Sequence, residues 1–340
     1  MRLLRLITAA AILATMIVPL PGRADPTVTR TAVEIPVVNP TTLEALTVRG
    51  GLFQRSDTAT CGNSVMILVH GLSYGEFAWD LPGHGQTYSV ARSLAAAGYP
   101  TLAVDLPGYE SAQPDTQEKP NGYTLTVEAY AHIVGQIETA LRYGNYGGPA
   151  FSSVGLMGHS AGTEITELAA GLGFARPDVY IPTGYHHVPS QRIVTDFFTG
   201  DFARAAQSDY EYFGGTEQGR TEYMYAPLPS DNVDPAVVAA DNALANLTPS
   251  GEVYSIGPQP SKAVMGLIDA PVLFVIGDSD LLFPLEFVDA ELNLFASAPS
   301  VTALVVEDAG HSFMLHRNAP ATNAAVADWL SDQSDVLPAC

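Results

Sequence analysis

Basic residues, cysteines and long apolar runs are all scarce in this chain of 340 residues. Only 15 lysines and arginines stand against 36 aspartates and glutamates, and the resulting net charge of −21 argues against a nucleic-acid partner. Two cysteines and eight histidines, spread along the sequence, give no cluster with the spacing of zinc ligands. No metal site is therefore predicted.

One apolar run stands at the N-terminus, where two arginines precede the uncharged residues 6–20. Gly22 and Ala24 follow at the spacing of a cleavage site. This arrangement is typical of a secretory signal peptide, residues 1–24, and predicts an extracellular protein that begins at Asp25. The alternative is an uncleaved membrane anchor, but about 15 apolar residues are fewer than the ~20 that span a bilayer. No stable membrane span is expected after cleavage.

Short β-type runs alternate with helical stretches along most of the remaining chain. This alternation predicts a mostly parallel sheet covered by helices. The predicted strands are residues 32–38, 45–53, 65–69, 101–104, 154–157, 179–183, 272–276 and 301–306, and the predicted helices are residues 87–97, 125–142, 161–172 and 321–330.

The alternation breaks between residues 188 and 262, where proline, glycine and short helical pieces accompany at least eight aromatic side chains. An insertion of this size between two strands is typical of a lid over a binding site, and a packed subdomain is a compatible interpretation. The predicted organisation is a core in two parts, residues 25–187 and 263–340, with residues 188–262 as the lid.

The pentapeptide GHSAG at residues 158–162 fits the pattern G-x-S-x-G, in which a serine occupies a sharp turn between a strand and a helix. The pattern alone is not specific, because GLSYG at residues 71–75 fits it as well. Context separates the two serines. A helix-forming run follows Ser160, whereas glycines and a proline follow Ser73, so Ser160 is the predicted nucleophile.

A serine nucleophile needs a base within hydrogen-bond reach and a carboxylate that orients that base. His311 follows the last predicted strand, at the edge of an open α/β sheet where catalytic groups gather, and is therefore the predicted base. The acid is expected on the loop after the preceding strand. Asp278 and Asp280 both lie there.

Five segments together resemble the α/β-hydrolase superfamily. They are His70-Gly71, residues 105–108 (DLPG), residues 158–162, residues 277–280 (GDSD) and Gly310-His311. The order serine, aspartate, histidine is also the order of that superfamily. The match extends over nearly all of the chain outside the predicted lid and the signal peptide.

The resemblance implies an α/β-hydrolase fold with an inserted helical lid, and a serine hydrolase similar to esterases and lipases that needs no cofactor. It places the acid at the last position of a G-x-x-D segment, Asp280, and leaves Asp278 as a turn former. Backbone N–H groups must stabilise the oxyanion of the transition state. Ala161 supplies one because it follows the nucleophile, and the resemblance implies that Leu72 supplies the other.

The loop after the third predicted strand carries Leu72 and is here called the oxyanion loop. Residues on this loop and near the nucleophile are expected to line the substrate pocket. The predicted pocket residues are Ser73, Tyr74, Glu76, Phe77, Trp79, His159, His186 and His187. For Phe77 and Trp79, packing in the core is the alternative. His159 is expected to point away from the nucleophile on the turn.

The predicted reaction is hydrolysis of a neutral, hydrophobic carboxylic ester through an acyl-Ser160 intermediate. Hydrolysis of an amide, thioester or carbon-carbon bond, a lyase reaction and a silent binding protein remain as alternatives. The partner is a small-molecule ester, and the sequence leaves the oligomeric state open.

The two cysteines, Cys61 and Cys340, are predicted to form a disulfide in an oxidising exterior. Cys61 lies just before the predicted strand at residues 65–69, at the end of the sheet away from the active site, and the closing helix runs back toward that edge. Two free thiols are the alternative.

Overall fold

The structure, a computed structural model, describes residues 27–57, 63–109 and 119–340. The predicted signal peptide and Cys61 lie outside the described residues. The strands are β1 (Val28–Val38), β2 (Ala45–Arg55), β3 (Ser64–Val69), β4 (Thr101–Asp105), β5 (Ser153–His159), β6 (Val179–Thr183), β7 (Tyr210–Glu211), β8 (Thr248–Pro249), β9 (Val272–Gly277) and β10 (Val301–Val306).

Eight of these strands form one sheet in the spatial order β1-β2-β4-β3-β5-β6-β9-β10. β2 pairs antiparallel with both β1 and β4, and all other neighbours in the sheet are parallel. The central strands β3, β4, β6 and β9 are buried along their whole length. Continuous apolar runs are what a parallel sheet with two covered faces requires.

The alternation of side chains along β3 divides the interior into two cores. Val65, Ile67 and Val69 pack into one core, and Met66 and Leu68 pack into the other. Successive side chains of a strand point to opposite faces, so β3 supplies apolar groups to both.

Helices cover both faces of the sheet. They are α1 (Val90–Ala96), α2 (Val127–Tyr143), α3 (Ala161–Gly171), α4 (Gln191–Asp196), α5 (Phe202–Ala205), α6 (Glu217–Tyr225), α7 (Pro235–Leu244), α8 (Ser250–Ile256), α9 (Val288–Leu292) and α10 (Ala319–Asp332). The helices α2 and α3 pack in one core, whereas α1 and α10 pack in the other. The predicted fold class, an α/β sandwich around a mostly parallel sheet, is confirmed.

The segment between β6 and β9, residues 184–271 and here called the insertion, holds α4 to α8 and the small antiparallel pair of β7 and β8. A π-helical turn, Phe197–Asp201, joins α4 to α5. Tyr223, Met224 and Val237 of the insertion belong to the same apolar core as the sheet. The insertion is therefore a packed part of the molecule, in keeping with the second interpretation of the predicted lid.

No helix in the described part of the chain is both long enough and apolar enough to cross a membrane.

Candidate active site

Ser160 occupies a strained turn between β5, which ends at His159, and α3, which begins at Ala161. Its φ of 54° lies in a region that residues other than glycine rarely adopt. A Cβ atom at Gly158 would lie 2.4 Å from the Gly162 carbonyl oxygen, and one at Gly162 would lie 2.3 Å from the Val69 carbonyl oxygen. Both glycines of GHSAG are thus required by close backbone packing.

His311 and Asp280 meet at the carboxyl edge of the sheet. His311 Nδ1 lies 2.8 Å from Asp280 Oδ2, and both side chains are inaccessible to solvent. The other carboxylate oxygen, Oδ1, accepts the N–H groups of Leu282 at 2.8 Å and Phe283 at 3.1 Å. A carboxylate on Nδ1 holds the proton there and leaves Nε2 as the acceptor.

That acceptor, His311 Nε2, is buried and makes no hydrogen bond to any described residue. Ser160, by contrast, is partly exposed. The hydrogen bond from Ser160 Oγ to His311 is therefore not formed in this structure. Contacts of this kind often become short only when the substrate is bound.

Asp278, the alternative acid, lies on the surface. Its Oδ1 accepts the Ser279 hydroxyl at 2.9 Å and the Ala309 N–H at 3.3 Å. Both contacts stabilise the turn before His311. The structure therefore brings Asp280, and not Asp278, to the imidazole.

The loop after β3 passes directly over the candidate nucleophile. A Cβ atom at Gly71 would lie 2.8 Å from Ser160 Cβ and 3.4 Å from Ser160 Oγ. Leu72 and Ser160 line the same cavity. Leu72 thus lies at the cavity that holds Ser160, and the roles of the Leu72 and Ala161 N–H groups as oxyanion donors stay a prediction.

The cavity at Ser160 has a volume of about 290 Å³. It is lined by Leu72, Ser160, Tyr185, Pro189, Ile193, Val194, Phe197, Phe198, Phe213, Ile256, Gly257, Gln259, Leu282 and Phe283. None of these lining residues is charged, and Gln259 offers the one amide side chain among them. The chemistry of the wall therefore suits an uncharged, apolar group.

Five of the predicted pocket residues lie elsewhere, on or after the oxyanion loop. Ser73, Tyr74 and Trp79 are wholly buried. Glu76 pairs with Arg30 through two hydrogen bonds, and Phe77 packs against the Tyr74 ring. None of residues 73–79 lines the cavity, so their nearness to Leu72 in sequence does not bring their side chains to the cavity wall.

The three predicted pocket histidines are likewise absent from the cavity wall. The buried ring of His159 lies 4.8 Å from the His311 ring, and burial holds its pKa well below the usual range. The Thr183 hydroxyl donates to the Gly158 carbonyl, so His159 Nδ1, 3.1 Å from that hydroxyl, is the donor of the pair. His186 bonds the Pro284 carbonyl oxygen at 3.0 Å.

His187 lies in a buried cluster of three carboxylates. Its Nδ1 is 2.7 Å from Glu291, and its Nε2 is 3.5 Å from Glu164 and 3.8 Å from Glu167. Burial opposes the protonation of His187, but these carboxylates outweigh it and raise its pKa to about 10. Burial also raises the pKa of Glu167 well above its usual value.

The atoms of Glu164, Glu167 and His187 are close enough together to suggest a metal site. The centre of this cluster, however, is filled by the Ser261 hydroxyl, which lies 2.7 Å from each of the two carboxylates and 2.9 Å from His187 Nε2. A protein oxygen at this position leaves no room for an ion with metal-ligand distances near 2.1 Å. The cluster is a hydrogen-bonded part of the core.

The chain matches the Alpha/beta hydrolase family over residues 66–326 and belongs to it. A comparison with curated protein sequences found no match.

Solved structures with the same fold include a thermophilic esterase from Thermogutta terrifontis, at a TM-score of 0.65 and 16% identity over 88% of this chain and 98% of that one. A monoacylglycerol lipase from Paleococcus ferrophilus gives a TM-score of 0.58 and 15% identity over 90% and 100%. A bromoperoxidase from Bacillus anthracis gives 0.58 and 15% over 89% and 100%. At these identities the similarity shows the shared fold.

The residues of the cavity wall differ in how well the sequence predicted them. Phe197, Phe198 and Phe213 belong to the aromatic set of the predicted lid, and they do line the cavity. Leu282 and Phe283 follow Asp280 directly, which in retrospect is a usable signal, because the loop that carries the acid lies beside the site. Ile193 and Gln259 had no distinguishing pattern.

Proposed function

We propose that this protein is a serine hydrolase that cleaves neutral, hydrophobic carboxylic esters through an acyl-Ser160 intermediate. The observation that carries the proposal is the hydrogen bond from His311 Nδ1 to Asp280, which leaves the buried Nε2 without a partner among the described residues, at the same edge of the sheet as the strained turn of Ser160. Nucleophile, base and orienting acid are the three groups that acyl transfer by serine requires.

In the proposed reaction, Ser160 Oγ attacks the ester carbonyl carbon while its proton passes to His311 Nε2. The carbonyl oxygen takes up the negative charge and accepts the N–H groups of Ala161 and Leu72. Collapse of this intermediate breaks the ester C–O bond, and the alcohol leaves with the proton from His311. Water then attacks the acyl-serine by the same route, which releases the acid and restores the serine.

The substrate class follows from the uncharged, largely apolar wall of the cavity. Burial of each methylene contributes roughly 0.8 kcal/mol, which corresponds to about a fourfold gain in kcat/KM for each carbon that the cavity holds. The net charge of −21 supports the same preference, because it repels an anionic substrate.

The test is a series of uncharged nitrophenyl esters from acetate to palmitate, measured beside an anionic ester, a thioester and an amide of matched size. The value of kcat/KM should rise over the first added carbons and then level off, and the anionic ester and the amide should be the poorest substrates. Ser160→Ala should abolish turnover and fluorophosphonate labelling, whereas Ser73→Ala should still become labelled at Ser160. Binding without turnover would instead mean a silent binding protein, and faster cleavage of the amide would overturn the ester assignment.

We also propose that the protein is exported, on the strength of residues 1–24, which lie outside the described residues. N-terminal sequencing of the protein recovered from the culture medium of an expressing bacterium should begin at Asp25. An intact N-terminus in a membrane fraction would support an uncleaved anchor instead.

A further inference from the structure

Arg220, on α6 of the insertion, is completely buried. Its Nη1 and Nη2 donate to the two oxygens of Asp241 at 2.8 and 3.0 Å, and Nη1 also donates to Asn242 Oδ1 at 2.8 Å. A charged group is stable in the interior only when such a paired, hydrogen-bonded partner compensates for lost hydration. The Asp241 pair therefore explains how Arg220 is tolerated, but it uses only part of the guanidinium.

The remaining donor, Arg220 Nε, reaches the oxyanion loop and donates to Ser73 Oγ at 2.8 Å. Ser73 follows Leu72 and has a φ of 62°, which is unfavourable for a residue other than glycine. Its N–H donates to Thr248 Oγ1 at 3.0 Å, and its carbonyl accepts the N–H of Asn246 at 2.8 Å. All three partners belong to the insertion, so the insertion holds Ser73 in a conformation that it would otherwise leave.

Arg220 also connects the oxyanion loop to the loop that carries the candidate base. Its guanidinium lies over the Tyr74 ring, 4.8 Å from the centroid. The Tyr74 hydroxyl is 2.5 Å from Ser312 Oγ, and the Ser312 N–H donates to the Met224 carbonyl of α6 at 2.8 Å. Ser312 directly follows His311. One buried arginine thus contacts Ser73, next to Leu72, directly, and is linked to Ser312, next to His311, through Tyr74.

We propose that Arg220 is a positioning residue that fixes the Leu72 N–H relative to Ser160 Oγ and so completes the oxyanion hole. The inference rests on the proposed acyl transfer at Ser160. In this role the insertion holds the loops that carry Leu72 and His311, in addition to lining the cavity.

Loss of the contact between Arg220 and Ser73 should lower kcat far more than it raises KM. The oxyanion forms only in the tetrahedral intermediate and in the transition states on either side of it, so a displaced donor destabilises these states and leaves the bound substrate almost unaffected. Loss of a whole oxyanion donor costs about 10²- to 10³-fold in kcat, and a donor that is merely misplaced is expected to cost about 10- to 100-fold.

Two variants separate this role from simple support of the fold. Ser73→Ala removes the acceptor of Arg220 Nε and keeps the Arg220–Asp241 pair. Arg220→Lys keeps a positive charge beside Asp241, but a single ammonium does not reproduce the fork that reaches both Asp241 and Ser73. Both variants should stay folded, lose about 10- to 100-fold in kcat on an uncharged ester, and keep KM within about twofold.

The matched control is Arg142→Gln. Arg142 bonds Glu138 at 2.7 Å and Asp178 at 3.0 Å, in the α2 region and outside the candidate site. This variant should lower the melting temperature and leave kcat unchanged. If Ser73→Ala and Arg220→Lys behave in the same way, or keep the wild-type kcat, the positioning role is overturned.

The rate of fluorophosphonate labelling distinguishes failure of this inference from failure of the ester assignment. Labelling builds negative charge on a phosphoryl oxygen in the same oxyanion hole, whichever bond the enzyme naturally cleaves. If the wild-type protein labels at Ser160 but hydrolyses no ester, the ester assignment fails and the comparison of labelling rates still tests Arg220. Equal labelling rates in wild-type, Ser73→Ala and Arg220→Lys protein would overturn the inference.

Discussion

Asp280 Oδ2 lies 2.8 Å from His311 Nδ1, in a contact that solvent does not reach. Asp280→Asn should leave the fold intact but lower kcat by about 10⁴-fold, because an amide donor on Nδ1 favours the imidazole tautomer that is unable to accept the serine proton. Asp278→Asn is the control, since Asp278 is exposed and bonds Ser279 and Ala309 instead of the imidazole. Steady-state kinetics and circular dichroism measure both effects. A large loss of kcat in Asp278→Asn, with none in Asp280→Asn, would reverse the assignment of the acid.

Gly71 is a second position where the geometry leaves little freedom. Its missing Cβ would lie 2.8 Å from both the His159 carbonyl oxygen and Ser160 Cβ. Gly71→Ala should therefore push the oxyanion loop off the nucleophile, with at least about a 100-fold loss of kcat/KM and slower fluorophosphonate labelling. Gly266→Ala is the control, because its Cβ would meet its nearest atom at an ordinary 3.5 Å. Wild-type kinetics in Gly71→Ala would show that the loop tolerates the displacement.

The cavity wall predicts how chain-length preference can be changed. Ile193 lines the cavity and is only 9% exposed, so Ile193→Trp should fill part of the space beside Ser160 without touching the catalytic groups. The ratio of kcat/KM for octanoate to that for acetate should fall at least tenfold, while acetate hydrolysis changes little. Leu267→Trp, at a residue that is 65% exposed and outside the cavity, should leave the ratio unchanged. An unchanged ratio in Ile193→Trp would place the acyl chain elsewhere.

The His187 cluster makes folding stability depend on pH. Because the folded state raises the His187 pKa from 6.5 to about 10, the contribution of this group is fully present below about pH 6.5 and is lost as pH rises toward 10. The raised pKa of Glu167 acts in the same direction, since it also favours the protonated form in the folded state. The free energy of unfolding by urea, measured at pH 6 and pH 9.5, should fall by an amount on the order of a few kcal/mol.

His187→Gln is the matched variant for this effect. It should be less stable than the wild-type protein at pH 6, and the difference between the two should shrink at pH 9.5. A difference that stays constant between these pH values would mean that the imidazole is neutral in the folded protein.

The sheet was predictable from sequence because its signal is local. The buried strands are continuous apolar runs, and the eight predicted strands agree with the structure to within a few residues. The deviations have local causes. The predicted helix at residues 87–97 begins only at Val90, because the Ser89 side chain accepts the Arg92 N–H and caps the helix.

The residues of the cavity wall and the contact between Arg220 and Ser73 were not predictable from local sequence. Ser73 lies next to Leu72 in sequence, but its hydroxyl is bonded by Arg220, 147 residues away. Which way a loop side chain points depends on such distant partners, and no spacing in the sequence encodes them. The placement of Ser160, Asp280 and His311 at the carboxyl edge of the sheet was predictable, because Ser160 directly follows β5 and the other two lie on the loops after β9 and β10.

The last prediction concerns Cys61 and Cys340, which we expect to be bonded in the exported protein. Cys61 lies outside the described residues, but the structure places the C-terminus beside the start of β3. The Ser64 hydroxyl donates to the Pro338 carbonyl, and the Cys340 N–H donates to the Gly98 carbonyl at 2.8 Å. Ser64 is three residues after Cys61 in the sequence, and the contact of Ser64 with the C-terminal segment is the reason for expecting the bond.

Such a bond closes a loop of most of the chain and restricts the unfolded state, and disulfides typically stabilise a protein by about 2 to 4 kcal/mol. Cys340→Ser should therefore lower the free energy of unfolding by that amount under oxidising conditions and have almost no effect in the presence of dithiothreitol. Alkylation of the exported wild-type protein without reductant, read by mass spectrometry, should modify neither cysteine. Two alkylated cysteines would show free thiols, and equal stability of Cys340→Ser and wild-type protein without reductant would show that a bond contributes nothing to folding.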